Sequence, residues 1–184
     1  FRSLANLLRE LNKTEGKFRI KFVTSYPTDI TDDLIEAVAE CDKVSKFFHI
    51  PMQSGNSRVL KAMNRRYDRE QYYEIYNKIR NRYDEVEITS DFIAGFPGET
   101  EEEFQDTLSA IEELIIDYSN TAIYSPRPFT KAGRMTDIFI PDEVKEERFQ
   151  RLHETNCKMT LASNQKLVGK VYEVLCESQK EKHG

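Results

Sequence analysis

The sequence predicts an α/β fold built of repeated strand–helix units with parallel strands. Three observations carry this. Short apolar runs alternate with longer runs of helical period, four times over. Turns bearing Gly, Pro, Ser or Asn follow the short runs. Two of the helical runs open on a capping box, Asp68 with Gln71 and Thr100 with Glu103. Alternation of this kind gives parallel strands joined by right-handed crossovers. A barrel and an open sheet both satisfy it.

The elements follow in order. Leu4, Leu7, Leu8 and Leu11 set a helix over 3–13, with Gly16 as its expected cap. Phe18, Ile20 and Phe22 alternate with Arg19 and Lys21, which predicts a strand from Phe18 to Ser25. Leu34, Ile35 and Val38 share one face of a helix over 31–41. Phe47 to Met52 reads as a short apolar strand, and a short helix carrying Val59, Leu60 and Met63 follows it. Tyr72, Ile75, Tyr76 and Ile79 line the next helix. Val86 to Ala94 is the strongest strand. The helix behind Thr100 buries Phe104, Leu108, Ile111 and Ile115. A strand over Thr121 to Tyr124, a loop over 126–141 and a long helix over 142–166 complete the run, and Lys170 to Cys176 alternates like an edge strand.

Composition narrows the function classes. A chain of 184 residues is long enough to bury a core without disulfides or metals. Its three cysteines, Cys41, Cys157 and Cys176, are far apart and odd in number, which argues against a disulfide framework and for a reducing, cytoplasmic compartment. No CxxC or CxxxCxxC spacing is present, so the chain itself offers no cysteine metal site. A net charge of -5 gives no global footprint for nucleic acid, so an RNA contact needs a local basic patch or a separate module. No apolar run is long enough for a membrane span. Ser-His-Asp order, P-loop, zinc pattern and Rossmann glycine run are all missing. The first residues already follow a helical pattern and the last strand-like run meets the terminus at once, so both ends read as cuts within a longer protein.

In parallel β/α folds, ligands bind beyond the carboxyl ends of the strands. The turns there are Thr24-Ser25-Tyr26-Pro27, Pro51-Met52-Gln53-Ser54-Gly55, Ile93 to Glu99 and Tyr124-Ser125-Pro126-Arg127-Pro128. Gly95 and Gly98 allow backbone to approach a flat ligand, or simply make a tight turn. Gln53 and Ser54 suit a sugar, or an N-cap. Arg65 or Arg66 suits a carboxylate, or the solvated surface. Arg127, held between two prolines, suits phosphate or carboxylate. His49 and His153 lack partners at ligand spacing and read as structural, and the Glu101-Glu102-Glu103 run suits a helix N-terminus.

Taken in order, Thr24-Ser25-Tyr26-Pro27, His49-Ile50-Pro51-Met52-Gln53-Ser54-Gly55, Val59 to Arg65, Ser90 to Thr100 and Tyr124-Ser125-Pro126-Arg127-Pro128 resemble the radical S-adenosylmethionine (SAM) methylthiotransferases over nearly the whole chain. The resemblance implies a partial parallel β/α barrel, strands three to six of a TIM-like radical SAM barrel, over 1–140. A long closing helix over 141–168 and the start of a small RNA-binding β domain over 169–184 would follow. The first two strands, with their CxxxCxxC loop, would precede residue 1, so the chain alone is expected to be inactive.

The family reduces SAM with a [4Fe-4S] cluster, abstracts hydrogen from the substrate carbon and inserts sulfur there. The tRNA branch, which acts on C2 of N6-isopentenyladenosine beside the anticodon, fits best. Threonylcarbamoyladenosine and ribosomal-protein branches are the alternatives, with a noncatalytic RNA-binding module and a barrel hydrolase behind them. By resemblance, Gln53 and Ser54 lie near the SAM ribose, and Ile93 and Gly95 pack on its adenine. Thr24, Arg65 and Asp91 make polar contacts to SAM. Tyr124 and Arg127 are expected to bind substrate, with Arg127 facing the RNA or the methionine end of SAM. Partners implied are tRNA and a sulfur donor, with a monomer expected. Phe129 departs from the family, which carries Gly at that place before Thr130, and a bulky residue there would reshape the rim or repack the loop.

Overall fold

The computed structural model describes residues 3–23 and 26–174. β1 (Phe47–His49), β2 (Glu87–Ala94) and β3 (Tyr118–Ile123) form one parallel sheet in that order. Phe48 stands opposite Ile88, and Ser90 opposite Ser119. Around the sheet lie α1 (Leu4–Asn12), α2 (Asp32–Glu40), α3 (Ser57–Ala62), α4 (Arg69–Arg82), α5 (Glu101–Leu114) and α6 (Asp142–Gln165).

The helices begin where their caps direct. Ser3 and Thr31 accept the N–H groups of Asn6 and Leu34. Both expected capping boxes form with their reciprocal bonds, at Asp68/Gln71 for α4 and Thr100/Glu103 for α5. α1 ends at Asn12, before the expected stop, and Gly16 (φ 110) serves the turn beyond it.

One side of the sheet carries the core. Phe48, Ile88, Phe92 and Ala94 turn toward the helices and are fully buried. They join Tyr72, Ile79, Phe104, Ile111 and Leu152. A fully buried side chain of this size stabilises the fold by about 1.5–3 kcal/mol. Along β2 and β3 the alternate residues Asp91, Ile93, Tyr118, Asn120 and Ala122 are half-buried or exposed. The described helices therefore cover one face and leave the other, mixed polar and apolar face more open.

Four strand expectations are corrected. Phe18 to Ser25 forms no strand among its described residues. Only Ile20 pairs, in a parallel bridge to Val44, with bonds to Lys43 O (2.8 Å) and from Ser45 N–H (2.9 Å). Phe18, Ile20 and Phe22 do turn inward as the alternation predicts, but the segment has a described neighbour on one side only. The strand expected over Phe47 to Met52 stops at His49, because Pro51 has no N–H to give the ladder. The chain rejoins β2 at Gln53, opposite Phe92, after a left-handed step (Gln53 φ 71). β3 starts at Tyr118 rather than Thr121. Lys170 to Val174 form no strand, and among the described residues no strand lies beside them; Cys176 lies outside the described residues.

α6 docks through an unusual stripe. Its buried residues are Arg148, Leu152 and Asn156, spaced at i, i+4 and i+8. The Asn156 amide accepts from the Ser119 N–H (3.1 Å) and Oγ (2.8 Å) and donates to the Ser119 carbonyl (2.8 Å). A single side chain thus pairs with the main chain of β3 where a fourth strand would stand.

Candidate functional site

Three loops leave the carboxyl end of the sheet, and a row of polar side chains runs across the open face beneath them. His49 on β1 bonds Thr89 Oγ1 through Nδ1 (2.9 Å) and Asp91 Oδ2 through Nε2 (3.2 Å). Asn120 on β3 donates to the other carboxylate oxygen, Asp91 Oδ1 (3.0 Å). These four residues share one face because the register places His49 opposite Thr89 and Asp91 opposite Asn120. Both imidazole nitrogens are engaged, so the ring is fixed. Asp91 remains one-third exposed, able to accept further bonds from a ligand.

The loop after β1 is irregular but fully supported. Tyr72 and Ser90 hydroxyls donate to Ile50 O (2.8 and 2.9 Å), and the Tyr67 hydroxyl lies over the carbonyls of Pro51 (3.0 Å) and Met52 (3.2 Å). Met52 N–H donates to Ser90 Oγ (3.0 Å). Side-chain hydroxyls replace the ladder bonds that Pro51 interrupts. Burial pushes the Tyr67 and Tyr72 phenols well above their ordinary range, so both stay neutral donors.

Gln53 is brought to the rim by its bridge to Phe92. Ser54 is not: its hydroxyl is buried against Thr107 Oγ1 of α5 (3.3 Å). The same Thr107 oxygen receives Gly55 N–H (2.9 Å), and a Cβ at Gly55 would lie 2.4 Å from Asp106 O. The Ser54-Gly55 pair therefore joins the loop to α5. Arg65 follows α3, with its Nε buried and unpartnered among the described residues. Tyr26, from the first turn, reaches this region by accepting Arg66 N–H (2.8 Å) and packing edge-on against Tyr67. Thr24, the remaining residue expected to contact SAM, lies outside the described residues.

The loop after β2 is tied to α6. Glu99, fully buried, accepts from Gly95 N–H (3.0 Å) and Arg148 Nη1 (3.0 Å), and Arg148 also donates to the Glu99 carbonyl (3.1 Å). Burial pushes the Glu99 carboxyl up to about 6, against the pull of the Gly95 N–H and Arg148. Gly95 (φ 76) has its bare side against the Lys145 stem, where a Cβ would lie 2.3 Å from Lys145 Cγ. Its close approach is to α6. Ile93 sits half-buried on the open face, two residues beyond Asp91.

The loop after β3 begins at Tyr124, whose N–H donates to Ala94 O (2.9 Å) and whose ring packs edge-on to Phe96 and Phe139. Its hydroxyl is buried without a partner among the described residues. Arg127 and Phe129 are exposed. Phe129 neither fills a gap nor repacks the loop.

The sequence did not reveal four partners. Asn120 was hidden because β3 was expected to start after it. Glu99 carried a faint signal, an acid wedged between Gly98 and the Thr100 cap. Arg148 and Asn156 carried none, since each meets its partner across the fold.

A parallel β/α layer whose carboxyl-end loops border an open face has the layout of a β/α-barrel segment, a fold type that binds ligands at that end. Residues 2–111 match the radical SAM superfamily, and the chain belongs to it. It is 47% identical over 175 residues to the tRNA-2-methylthio-N(6)-dimethylallyladenosine synthase of Acetivibrio thermocellus, covering 95% of this chain and 36% of that protein. Against the Clostridium perfringens synthase of the same name it is 49% identical over 173 residues, covering 94% and 38%. The chain thus spans little more than a third of the length of these curated relatives.

Its fold is similar to coproporphyrinogen III oxidase from Escherichia coli, a radical SAM enzyme. There the TM-score is 0.65 at 22% identity, over 85% of this chain and 36% of that one. It is also similar to a radical S-adenosylmethionine methyltransferase from Kitasatospora setae with cobalamin and a [4Fe-4S] cluster bound (TM-score 0.57, 17% identity, 70% and 26% covered). No described helix is long and apolar enough to cross a membrane.

Proposed function

We propose that this chain is the ligand-cradling part of a cytoplasmic tRNA methylthiotransferase, acting on an N6-isopentenylated adenosine with a separate sulfur donor. The observation that carries the reading is the His49–Thr89–Asp91–Asn120 row on a helix-free face. It is supported by 47% identity to a synthase of that reaction along 95% of the chain.

The row fits an adenosyl ligand. Asp91 and Asn120 offer an acceptor and an amide, Gln53 a further amide at the rim, and Ile93 and Ala122 apolar surface beside them. When bound, SAM supplies radical chemistry for removing a hydrogen atom from an unactivated carbon. The chain's own part is positional. Thr89 and Asp91 lock the His49 ring, Asn120 holds the second Asp91 oxygen, and Glu99 with Arg148 holds the Gly95 turn at the rim.

The iron–sulfur cluster does not fit the residues present. Cys41 is buried, Cys157 is exposed on α6, and no metal-holding group of His, Cys, Asp or Glu forms among the described residues.

Titration of the chain with S-adenosylmethionine tests the site. Asp91→Ala should weaken binding about tenfold or more, the loss expected for hydrogen bonds to a charged group. Equal affinity in the variant would remove Asp91 from the site. Nucleoside mass spectrometry of tRNA from cells lacking the gene tests the reaction. Retention of the methylthio group there would overturn the substrate reading.

A further inference from the structure

We propose that Phe129 is a base-stacking residue for single-stranded RNA, presented by a cationic loop at the mouth of the open face. The proposal rests on the RNA-substrate reading above and adds to it a specific contact.

Phe129 is 92% exposed, so its ring adds nothing to the core. Its backbone stands at φ 67, a conformation open to glycine and costly for a bulky side chain. A residue that is both strained and solvent-facing is not explained by stability, and such outliers concentrate where a ligand is met.

The loop that carries it is stiff. Pro126 and Pro128 fix the backbone on its approach. The Thr130 hydroxyl donates to Arg127 O (2.8 Å) and accepts Gly133 N–H (3.0 Å), which closes the turn behind the ring. At its root, Tyr124 is hydrogen-bonded to the end of β2. The ring is therefore held out into solvent on a loop rooted at the carboxyl end of β2.

The chemistry around it selects the partner. Arg127, Lys131 and Arg134 flank Phe129 along the loop and are exposed like it, and no acidic residue lies between Pro126 and Thr136. None of the three cations joins an ion pair among the described residues. In a chain of net charge -5 this is a local basic patch. An exposed aromatic ring among free cations matches an unstacked base flanked by phosphates.

The test uses a labelled anticodon stem-loop RNA with 2-aminopurine in the loop. Fluorescence anisotropy reports affinity and 2-aminopurine quenching reports stacking. Phe129→Leu should weaken binding about tenfold and abolish the quench, while Phe129→Trp keeps both. Replacing Arg127, Lys131 and Arg134 together by Ala should lower the salt slope of log K by about 2.

If wild type binds and Phe129→Leu binds and quenches equally, the stacking role is overturned and the RNA reading stands. If wild type does not bind the stem-loop even at low salt, both are overturned. Capture of the wild type by anionic lipid vesicles, lost in Phe129→Leu while RNA affinity is unchanged, would overturn the RNA partner in favour of a membrane surface.

Discussion

Arg148 of α6 meets Glu99, the residue after the Gly95–Gly98 turn, at 3.0 Å, with side-chain exposures of only 6% and 0%. This buried pair is the point where the last helix holds the turn that follows β2. The carboxylate also takes the Gly95 N–H, so α6 position and turn conformation are coupled through one group.

That coupling has a pH signature. Glu99 titrates near 6 in the folded chain, above the ordinary carboxylate value of 4.5. A raised acid favours the folded state when protonated, so its contribution is full below the unfolded value and is lost as pH rises through about 6. The stability difference between wild type and Glu99→Gln should fall by roughly 2 kcal/mol between about pH 4 and about pH 8. Urea midpoints across that range check it. Arg148→Met removes one of the groups opposing the shift and should move the window upward.

Asn156 gives a second test. Leucine in its place leaves the Ser119 N–H and carbonyl without a partner under α6. Each such group costs about 1–3 kcal/mol, so Asn156→Leu should destabilise by roughly 2–4 kcal/mol despite its similar size. An unchanged thermal midpoint would show that water or β3 movement satisfies these groups.

The two rim glycines should respond differently. At Gly55 an added Cβ meets Asp106 backbone, which cannot yield, whereas at Gly95 it meets the flexible Lys145 stem. Gly55→Ala should cost about 3 kcal/mol or more, in the range of severe overpacking. Gly95→Ala should cost less, about 1–2 kcal/mol from its positive φ plus the Lys145 contact. Lys145→Ala should recover the contact part, a coupling that a double-mutant cycle resolves.

Phe129→Gly should raise stability by about 1 kcal/mol, because glycine adopts this conformation freely and the lost ring was already in water. Thermal melts of the two proteins decide this. A gain in stability alongside a loss of RNA affinity would separate function from fold at one residue.

Much of the scaffold was legible in sequence because its signals are local. The Asp68/Gln71 and Thr100/Glu103 boxes fix two helix starts within four residues of chain. Val86 to Ala94 is apolar enough to announce a strand, and β2 forms there. Strand ends were less legible because neighbours set them. Phe18 to Phe22 has the right alternation but pairs only at Ile20. Tyr118-Ser119-Asn120 looks too polar for a strand until Asp91 and Asn156 are seen to satisfy its side chains and main chain. The rim turns were visible from their glycines and prolines, but side-chain direction was not. Ser54 shares a motif with Gln53 yet turns into α5.

The sheet that divides open face from helical face also divides mutational tolerance. Asn120 and Ala122 are exposed, so their replacement should cost little stability, as for ordinary surface sites. Phe92 and Ala94, interleaved with open-face residues along β2, are fully enclosed. Substrate preference can drift along one set of alternate positions while the other set keeps the chain folded. A library randomised at Asn120 and Ala122 should remain mostly folded, whereas one at Phe92 and Ala94 should not.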